Sequence, residues 1–470
     1  MAADVVRDAL ADAAPSVFWL DRAGRPEATE ALTGSHEADL VMVGGGFTGL
    51  WAARQALADD PERDVLVVEA GTIALGASGR NGGFLSSSIT HGVENGRRHF
   101  PDEAATLGRL GDENYEGLLR DLDMLAIDAC FEPVGELDVA VEPWQAEDLE
   151  GHADLLRDAG EEVELLDAAA VRAEVDSPTY LGGVWQRSHE GLVDPARLAW
   201  GLARAVREMG ARVHEHTAVT SIRADRVAGR GLILRGPHLH LRARRVLLAT
   251  NAFPGLVAPI RRAVAPVYDH VLVTEPLSPA QWRSVGWAHR QGLSDAGNQF
   301  HYYRPTPDGR VLWGGYDALY HFGGRVSPEH EQDDVTSRRL AEHFLTTFPQ
   351  LEGVRFTHRW GGPIATTSRF MFTAGTRYSG RLAWSVGYTG LGVGASRFGA
   401  RVALDLLAGE PTERTALAAV RRPPFPFPPE PARWVAIQAT RRAIARADAN
   451  EGRRGPWLRL LDRFGVGFDS

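Results

Sequence analysis

Three glycines, Gly44, Gly46 and Gly49, stand in G-x-G-x-x-G spacing directly after the apolar run at residues 40–43. Two glycines of such a pattern let the backbone turn tightly and approach a pyrophosphate, and the third lets the following helix pack closely on a sheet. Glu69 ends the next apolar run, about 20 residues beyond the last glycine, where a carboxylate can accept hydrogen bonds from ribose hydroxyls. The pattern therefore predicts a dinucleotide-binding site.

A second glycine-rich loop, GASGRNGG, follows at residues 76–83. Ser78, Arg80 and Asn81 offer hydrogen-bond donors in this loop, beside glycines whose backbone can adopt left-handed conformations. Such a loop suits an anion or a flat heterocycle. The alternative interpretation is a mobile surface loop.

The elements that must position these residues follow from hydrophobic periodicity. Residues 40–43 and 65–68 are short unbroken apolar runs, typical of strands buried on both faces. Between them, Leu50, Ala53 and Leu57 recur on one face of a predicted helix, whereas Arg54 and Gln55 are predicted to face away from the core. Strand, glycine turn, helix and strand thus occur in the order that a dinucleotide-binding unit requires.

The rest of the chain predicts further units of both kinds. Asp194 is predicted to cap a helix that runs to about residue 209, and short strands are predicted at 136–141, 181–185, 212–216 and 246–249. Alternating runs at 264–274, 299–304 and 311–314 indicate an antiparallel sheet. A strand at 382–386, a glycine-rich turn at 387–394 and a helix from about 395 to 407 repeat the strand, turn and helix order late in the chain.

Composition excludes several classes of function. The chain has 470 residues and a formal net charge of −10, which does not favour a nucleic-acid partner. All 51 basic residues are arginine, and without a lysine neither a pyridoxal-phosphate Schiff base nor a P-loop can form. Cys130 is the single cysteine, which excludes an internal disulfide and a cysteine-held iron–sulfur cluster. His214 and His216 lack a suitably spaced third ligand, so they are predicted to be surface residues and no metal site is expected.

Both ends of the chain were considered for signs of secretion or membrane binding. The acidic N-terminal stretch lacks the basic start and apolar core of a secretory signal, and no apolar run approaches membrane-spanning length. We therefore expect a cytoplasmic protein without stable membrane insertion. Near the C-terminus, the Pro-rich segment 423–431 precedes a helix that carries Trp434 and Ile437 among arginines. That helix could lie on a membrane surface, but its narrow apolar face favours packing against the body of the protein.

Several motifs together resemble one known family. They are VMVGGGFTGLWAA at 41–53, GASGRNGG at 76–83, HEGLVDP at 189–195, ATNA at 249–252, YYRPTPDGR at 302–310, RWGGP at 359–363 and GYTGLGVG at 387–394. This set resembles the D-amino-acid-oxidase-like FAD oxidoreductases, in particular their γ-glutamylputrescine-oxidase-like branch. The likeness spans roughly residues 16–410 and leaves the Pro-rich C-terminal extension outside it.

The resemblance implies where FAD binds. The first loop and Glu69 would hold its ADP half, the second loop would line the pyrophosphate and the flavin, and Val219 would hold the adenine through its backbone. The turn at 387–394 would place a helix N-terminus at the pyrimidine edge of the flavin, where its N–H groups stabilise negative charge. The residues assigned to FAD in this way are Gly44, Gly46, Phe47, Thr48, Gly49, Glu69, Ala70, Gly76, Ala77, Ser78, Arg80, Asn81, Gly82, Gly83, Phe84, Val219, Thr250, Asn251, Gly387, Gly390, Leu391, Gly392 and Val393.

The sequence departs from relatives at positions that matter for chemistry. Members with covalently attached flavin use a late cysteine or a histidine in the loop after the first acid, whereas here Cys130 lies elsewhere and Arg80 stands in the loop. We therefore expect noncovalent FAD. Sarcosine-oxidase-like members end the late motif with a lysine that holds the substrate carboxylate, and this chain has Gly394 there. An α-carboxylate substrate is therefore disfavoured, unless Arg304 takes over that task.

The resemblance implies a flavin-dependent oxidation of a small amine. The neutral amine would give hydride to flavin N5, and the resulting imine would hydrolyse to an aldehyde plus amine or ammonia, with O2 or another acceptor taking the electrons. Tyr302, Arg304, Trp360 and Tyr388 are the candidate pocket residues. The alternative is that the tyrosines are sheet core and Arg304 a surface ion pair. An amino-acid oxidase of the sarcosine, glycine or D-amino-acid type, a hydroxy-acid dehydrogenase, a hydroxylase and a noncatalytic dinucleotide-binding protein remain open.

The expected architecture is α/β with an α+β second domain. A discontinuous, Rossmann-like FAD-binding domain with a parallel sheet would comprise residues 38–90, 190–255 and 360–410. A substrate-binding domain on a mainly antiparallel sheet would comprise residues 91–189 and 256–359. Residues 1–37 form a lead-in, and residues 411–470 a Pro-rich and helical extension.

Overall fold

The computed structural model describes residues 3–225, 231–253 and 255–467. The strands within these residues are β1 (Gly34–Val43), β2 (Val65–Val68), β3 (Phe84–Ser86), β4 (Glu136–Ala140), β5 (Val163–Asp167), β6 (Gly182–Gln186), β7 (Glu190–Leu192), β8 (Arg212–His214), β9 (Ser221–Asp225), β10 (Gly231–Arg235), β11 (Leu239–Leu248), β12 (Ala265–Thr274), β13 (Gly292–Asp295), β14 (His301–Pro305), β15 (Val311–Gly315), β16 (Phe356–Thr366), β17 (Thr373–Arg377) and β18 (Leu382–Val386). The helices are α1 (Ala3–Leu10), α2 (Phe47–Asp59), α3 (Val93–His99), α4 (Ala104–Met124), α5 (Pro143–Asp158), α6 (Ala168–Glu174), α7 (Pro195–Glu208), α8 (Ala258–Ala263), α9 (Pro279–Val285), α10 (Asp334–Thr347), α11 (Gly392–Ala408), α12 (Glu413–Ala416), α13 (Ala418–Arg421), α14 (Ala432–Asp448) and α15 (Pro456–Arg463).

The first large sheet has a parallel centre. Its path runs β17-β18-β11-β1-β2-β8, with β10 and β9 joined at β11, and the pairs among β18, β11, β1, β2 and β8 are parallel. Leu40 and Met42 pack on the side that holds α2, α7 and α11, while Val41 and Val43 pack on the other side. Both faces are buried, which explains the unbroken apolar run that predicted this strand.

The second large sheet is mainly antiparallel, as predicted. Its order is β16-β12-β15-β14-β13-β4-β6-β5, and only the β13–β4 pair is parallel. Alternation gives it two different faces. Leu137, Tyr303 and Trp313 point into a core shared with α10, whereas Glu136 and Tyr302, each one residue away, lie on the face that borders a large cavity.

Three local predictions were wrong in detail. Gln55 is buried rather than exposed, because α11 covers that side of α2 and the Gln55 amide donates to the carbonyl of Arg397. Helix α11 begins at Gly392, three residues before the predicted start, since its first turn forms part of the glycine-rich turn. Strand β8 ends at His214, and His216 follows with a φ of 51°, so the two histidines do not alternate on one strand.

The predicted domain boundary at residue 360 falls inside β16. All of β16 from Phe356 to Thr366 pairs with β12 in the second sheet. We propose that the FAD-binding unit resumes after Thr366 rather than at residue 360.

The C-terminal extension lies against the body of the protein. In α14, Asp448 accepts hydrogen bonds from the side chain of Asn298 and the backbone N–H of Gln299. Gln438 in the same helix donates to the carbonyl of Tyr320, while Trp434 remains 38% exposed. Among the described residues, none of the helices has the length and apolar character needed to cross a bilayer.

Candidate active site

A single cavity of about 2390 Å³ opens where the carboxyl ends of β1, β2 and β11 meet the polar face of the second sheet. A pocket for one small ligand usually measures about 300–1,000 Å³. The cavity therefore has room for a dinucleotide and a second molecule. The carboxyl ends of parallel strands are also where ligands bind in sheets of this kind.

The first glycine loop is shaped by a lack of space for side chains. A Cβ on Gly44 would lie 2.6 Å from the carbonyl oxygen of Ala249, and Gly44 has a φ of 118°. A Cβ on Gly49 would overlap the carbonyl oxygen of Gly44. Gly44 and Gly46 line the cavity together with Phe47 and Thr48 at the start of α2, while Gly49 lies behind them.

Glu69 closes this end of the cavity. Its Oε2 accepts from the backbone N–H of Gly45 at 2.7 Å and its Oε1 from that of Gly71 at 2.8 Å. Burial raises the pKa of Glu69, and these two N–H groups oppose the rise. Each carboxylate oxygen keeps a second lone pair, and the side chain lines the cavity beside Ala70, so a hydroxyl donor could be accepted there.

The second glycine loop is tied to the first by Ser78. The Ser78 hydroxyl accepts from the backbone N–H of Phe47 at 2.9 Å, and residues 77–79 form one turn of 3-10 helix. The Asn81 amide donates to the carbonyls of Ala77 and Ser78 and accepts from the N–H of Gly83. These polar atoms hold the loop in shape, and the backbone of the loop forms the cavity wall.

Arg80 lines the cavity, but its guanidinium group is held by protein groups. Its guanidinium donates to the carbonyls of Leu75 and Gly361 and pairs with Glu331 at 2.8 Å. The remaining loop members predicted for the cofactor, Gly76, Ala77, Gly82, Gly83 and Phe84, line the cavity.

The late glycine turn brings a helix N-terminus to the cavity. Gly387 has a φ of 86°, and its N–H donates to the Asn251 side chain at 3.1 Å. Among the described residues no side chain caps α11, whose first residues Gly392 and Val393 line the cavity. Thr250, Asn251, Gly390 and Leu391 line it as well, whereas Gly387 does not. Uncapped N–H groups at a helix start favour negative charge on a ligand.

Val219, predicted for the adenine, lies in the wall at the end near Glu69.

Two of the four predicted pocket residues line the cavity. The Tyr302 hydroxyl donates to Asp269, which also lines the cavity, and desolvation raises the pKa of Asp269 to about 6. The Tyr388 hydroxyl bonds to the hydroxyls of Thr48 and Ser385 at 3.0 and 2.8 Å, so only its ring is presented to the cavity.

Arg304 and Trp360 do not reach the cavity. Arg304 is 0% exposed and donates to the carbonyls of Val193 at 2.7 Å and Gly83 at 3.3 Å, because the second loop covers this end of β14. The alternative of a surface ion pair is wrong in its location only, since Arg304 pairs with Glu132 at 3.7 Å but is fully buried. The Trp360 indole N–H donates to the Arg80 carbonyl, behind the same loop. Both residues contact the second loop and lie outside the cavity lining.

Position 394 leaves no room for a cationic side chain. Gly394 is buried in α11, and a Cβ built there would overlap the carbonyl oxygen of Ser86. The packing around position 394 would therefore exclude a lysine side chain even if the sequence had one there.

Charged residues that sequence reasoning missed dominate the far end of the cavity. The lining contains fourteen carboxylates and four guanidinium groups. Glu136 and Asp138 alternate with Leu137 and Val139 along β4, and this period-two pattern was the available signal. His91 also lines the cavity, and desolvation lowers its pKa to about 4, so its ring is neutral at physiological pH.

Comparison with known proteins places the chain in a family. A family model described as FAD dependent oxidoreductase, DAO, matches residues 39–406. The chain belongs to the DAO family of FAD-dependent oxidoreductases. The family resemblance drawn from the glycine motifs is confirmed, and so is the expected mixed α/β fold with FAD as cofactor.

Individual relatives cover most of the chain. It is 33% identical over 417 residues to γ-glutamylputrescine oxidoreductase of Escherichia coli K12, covering 88% of this chain and 93% of the relative. It is 26% identical to the sarcosine oxidase subunit beta of Rhizobium meliloti, covering 69% and 73% of the two chains. Glycine oxidase from Geobacillus kaustophilus has a similar fold, with a TM-score of 0.65, 22% identity and coverage of 80% and 96%.

Proposed function

We propose that this DAO-family protein oxidises the C–N bond of a small amine. The proposal depends mainly on one continuous cavity. At one end lie the first glycine loop and Glu69, which we call the cradle, together with the N-terminus of α11. At the other end lies a chamber lined by carboxylates. The first end of the cavity suits a dinucleotide, and the chamber suits a cationic substrate rather than an anionic one. The identity to a γ-glutamylputrescine oxidoreductase over most of both chains supports the same conclusion.

The residues present fit FAD. The glycine loops expose backbone where side chains would clash, Glu69 offers lone pairs to ribose hydroxyls, and the start of α11 offers N–H groups. FAD held there would supply the oxidising power, as the acceptor of the hydride that leaves the amine α-carbon. The imine formed when the nitrogen also loses a proton is hydrolysed by water to an aldehyde plus amine or ammonia. We propose that FAD is held noncovalently, since Cys130 lies outside the cavity lining.

The chain itself must bind the amine, exclude water and take up a proton. A buried amine loses its proton more readily than a solvated one. We propose that the Asp269 carboxyl group receives that proton, because it borders the chamber. Burial raises its pKa to about 6, so the gap to the pKa of an ammonium group is smaller than it would be for an exposed aspartate. Tyr302 orients this carboxyl through its hydrogen bond to Oδ2.

Amino acids are poorer candidates as substrates. Arg304 is committed to main-chain carbonyls, Arg80 is paired with Glu331, and position 394 has no room for a side chain. The two groups that the sequence offered for a substrate carboxylate, a side chain at position 394 and Arg304, are therefore lacking or occupied.

Amines are expected to reduce the bound flavin faster than amino acids do. A carboxylate taken out of water without a cationic partner costs several kcal/mol, and about 3 kcal/mol corresponds to roughly 100-fold in kcat/KM. Anaerobic bleaching of the visible absorbance measures the rate, with putrescine-like amines compared against sarcosine, glycine and D-amino acids. Faster reduction by the amino acids would overturn the proposed substrate class, and no reduction by either group would overturn C–N oxidation.

Glu69→Gln is expected to weaken FAD binding by about 10- to 150-fold, since charge-assisted hydrogen bonds contribute about 1.5–3 kcal/mol. The amide keeps the shape of the side chain, so the fold should persist. Flavin retained after extensive dialysis measures the effect, with the exposed Glu62→Gln as the matched control. Equal retention by the two variants would show that Glu69 does not hold the ribose.

A further inference from the structure

Three carboxylates from two strands, β4 and β7, meet at one end of the cavity. Glu136 and Asp138 project from the polar face of β4, and Ser294 on the neighbouring β13 donates its hydroxyl toward both of them. Glu190 comes from β7, and its Oε1 accepts from the Ser86 hydroxyl on β3 at 2.5 Å. All five side chains line the cavity. We refer to them as the carboxylate cluster.

Two of the three carboxylates in the carboxylate cluster lack a countercharge. Among the described residues no basic side chain pairs with Glu136 or Glu190, whereas Asp138 has His152, whose Nε2 lies 3.3 Å away. Buried carboxylates without cations are costly, and their environment favours the neutral form. Burial, together with Asp138, raises the pKa of Glu136 to about 8, and burial, together with Glu136, raises the pKa of Glu190 well above its usual range.

Glu190 gives a second, independent indication of a ligand. It is only 8% exposed, and among the described residues no group donates to its Oε2. This oxygen nevertheless belongs to a side chain that lines the cavity. An acceptor on a side chain that lines a cavity, with no donor from the described residues, is a position that a bound donor would complete.

The carboxylate cluster borders the part of the cavity where the chemistry would occur. Strand β3 follows the second glycine loop, and the carbonyl of Ser86 lies directly against Gly394 in the first turn of α11. The same residue thus contacts the α11 N-terminus through its backbone and Glu190 through its side chain. A substrate that spans this short path would have one end at the reacting position and the other at Glu190.

We propose that the carboxylate cluster binds the distal ammonium group of an aliphatic di- or polyamine whose other nitrogen is oxidised. This inference rests on the proposed amine oxidation and specifies its substrate class. An ammonium group carries three donors, which matches three converging carboxylates, and it supplies the missing positive charge. A monoamine of the same length would leave the cluster without a partner.

The test compares amines that differ only in the second charge. The holoenzyme is mixed anaerobically with n-butylamine or 1,4-diaminobutane, and the concentration dependence of flavin reduction gives an apparent Kd for each. The diamine is expected to bind at least about tenfold more tightly, because charge-assisted hydrogen bonds are added. The ratio of the two Kd values should fall toward one in Glu190→Gln and in Glu136→Gln. Glu113→Gln removes a cavity-lining carboxylate outside the carboxylate cluster and should keep the ratio.

The outcomes separate the two proposals. Equal apparent Kd values for both amines in the wild-type enzyme would overturn the cluster as a cation site while leaving amine oxidation intact. A high ratio that persists in both glutamine variants would overturn the assignment to these residues. Failure of both amines to reduce the flavin, with reduction by amino acids or hydroxy acids, would overturn the proposed function itself. The wild-type comparison decides the matter even if a variant fails to fold.

Discussion

Arg304→Met is expected to lower the free energy of unfolding by about 2–4 kcal/mol, because the Val193 carbonyl would lose its donor and a well-packed buried side chain would be replaced by a smaller one. This loss of unfolding free energy should be smaller than the loss on removing one partner of a close, buried ion pair. Burial already lowers the pKa of Arg304 to about 10, which shows that the folded state bears a cost for this charge, and its removal recovers part of that cost.

Urea unfolding of the flavin-free protein measures this effect, since bound cofactor would itself add to stability. The exposed Arg120→Met is the matched control and should change the free energy of unfolding by less than about 0.5 kcal/mol. If Arg304 instead bound a substrate carboxylate, the variant would keep its stability and lose affinity for amino acids. The two roles therefore differ in which measurement responds.

Gly49→Ala is expected to leave the purified protein with less than about a tenth of its flavin. The added methyl group would overlap the carbonyl oxygen of Gly44, a backbone atom that cannot rotate away as a side chain could. Relief requires a shift between the start of α2 and the loop that forms the cradle. Overpacking of this kind costs about 1–3 kcal/mol, and the displaced backbone would no longer match the pyrophosphate.

Flavin content per polypeptide, read from the visible and ultraviolet absorbance, checks this expectation. Gly108→Ala is a fitting comparison, because it is an exposed helical glycine with open space around it, where alanine should favour the helix. Normal flavin content in Gly49→Ala would mean that the helix and the loop have more freedom than their contact suggests.

Local patterns were sufficient to predict the cofactor half of the molecule. The order of β1, glycine loop, α2 and β2 is contiguous in sequence, and each step has its own residue signature. The mainly antiparallel second sheet was also predictable from alternation. Gln55 was misassigned because its burial depends on α11, which lies more than 300 residues later in the chain.

The substrate half could not be predicted in the same way. Alternation along β14 placed Tyr302 and Arg304 on one face, but only the fold shows that the second loop covers Arg304 and leaves Tyr302 open. The carboxylate cluster draws on β3, β4, β7 and β13, which come from separate parts of the sequence and meet only through tertiary pairing. The alternation of acidic and apolar residues along β4 can be read from the sequence. No local pattern shows that Glu190 of β7 and Ser294 of β13 lie beside these acids.

The order of the first sheet affects when the cradle can form during synthesis. Its central strands β1, β11 and β18 are neighbours in space, yet about 340 residues separate Val43 from Leu382. At roughly 5–20 residues per second, a ribosome needs about 20–70 s to pass from one to the other. For the first part of this interval β1 lacks its partner β11, and for the rest β11 lacks its partner β18. Nascent chains should therefore depend on chaperones, and flavin capture should come late in biogenesis.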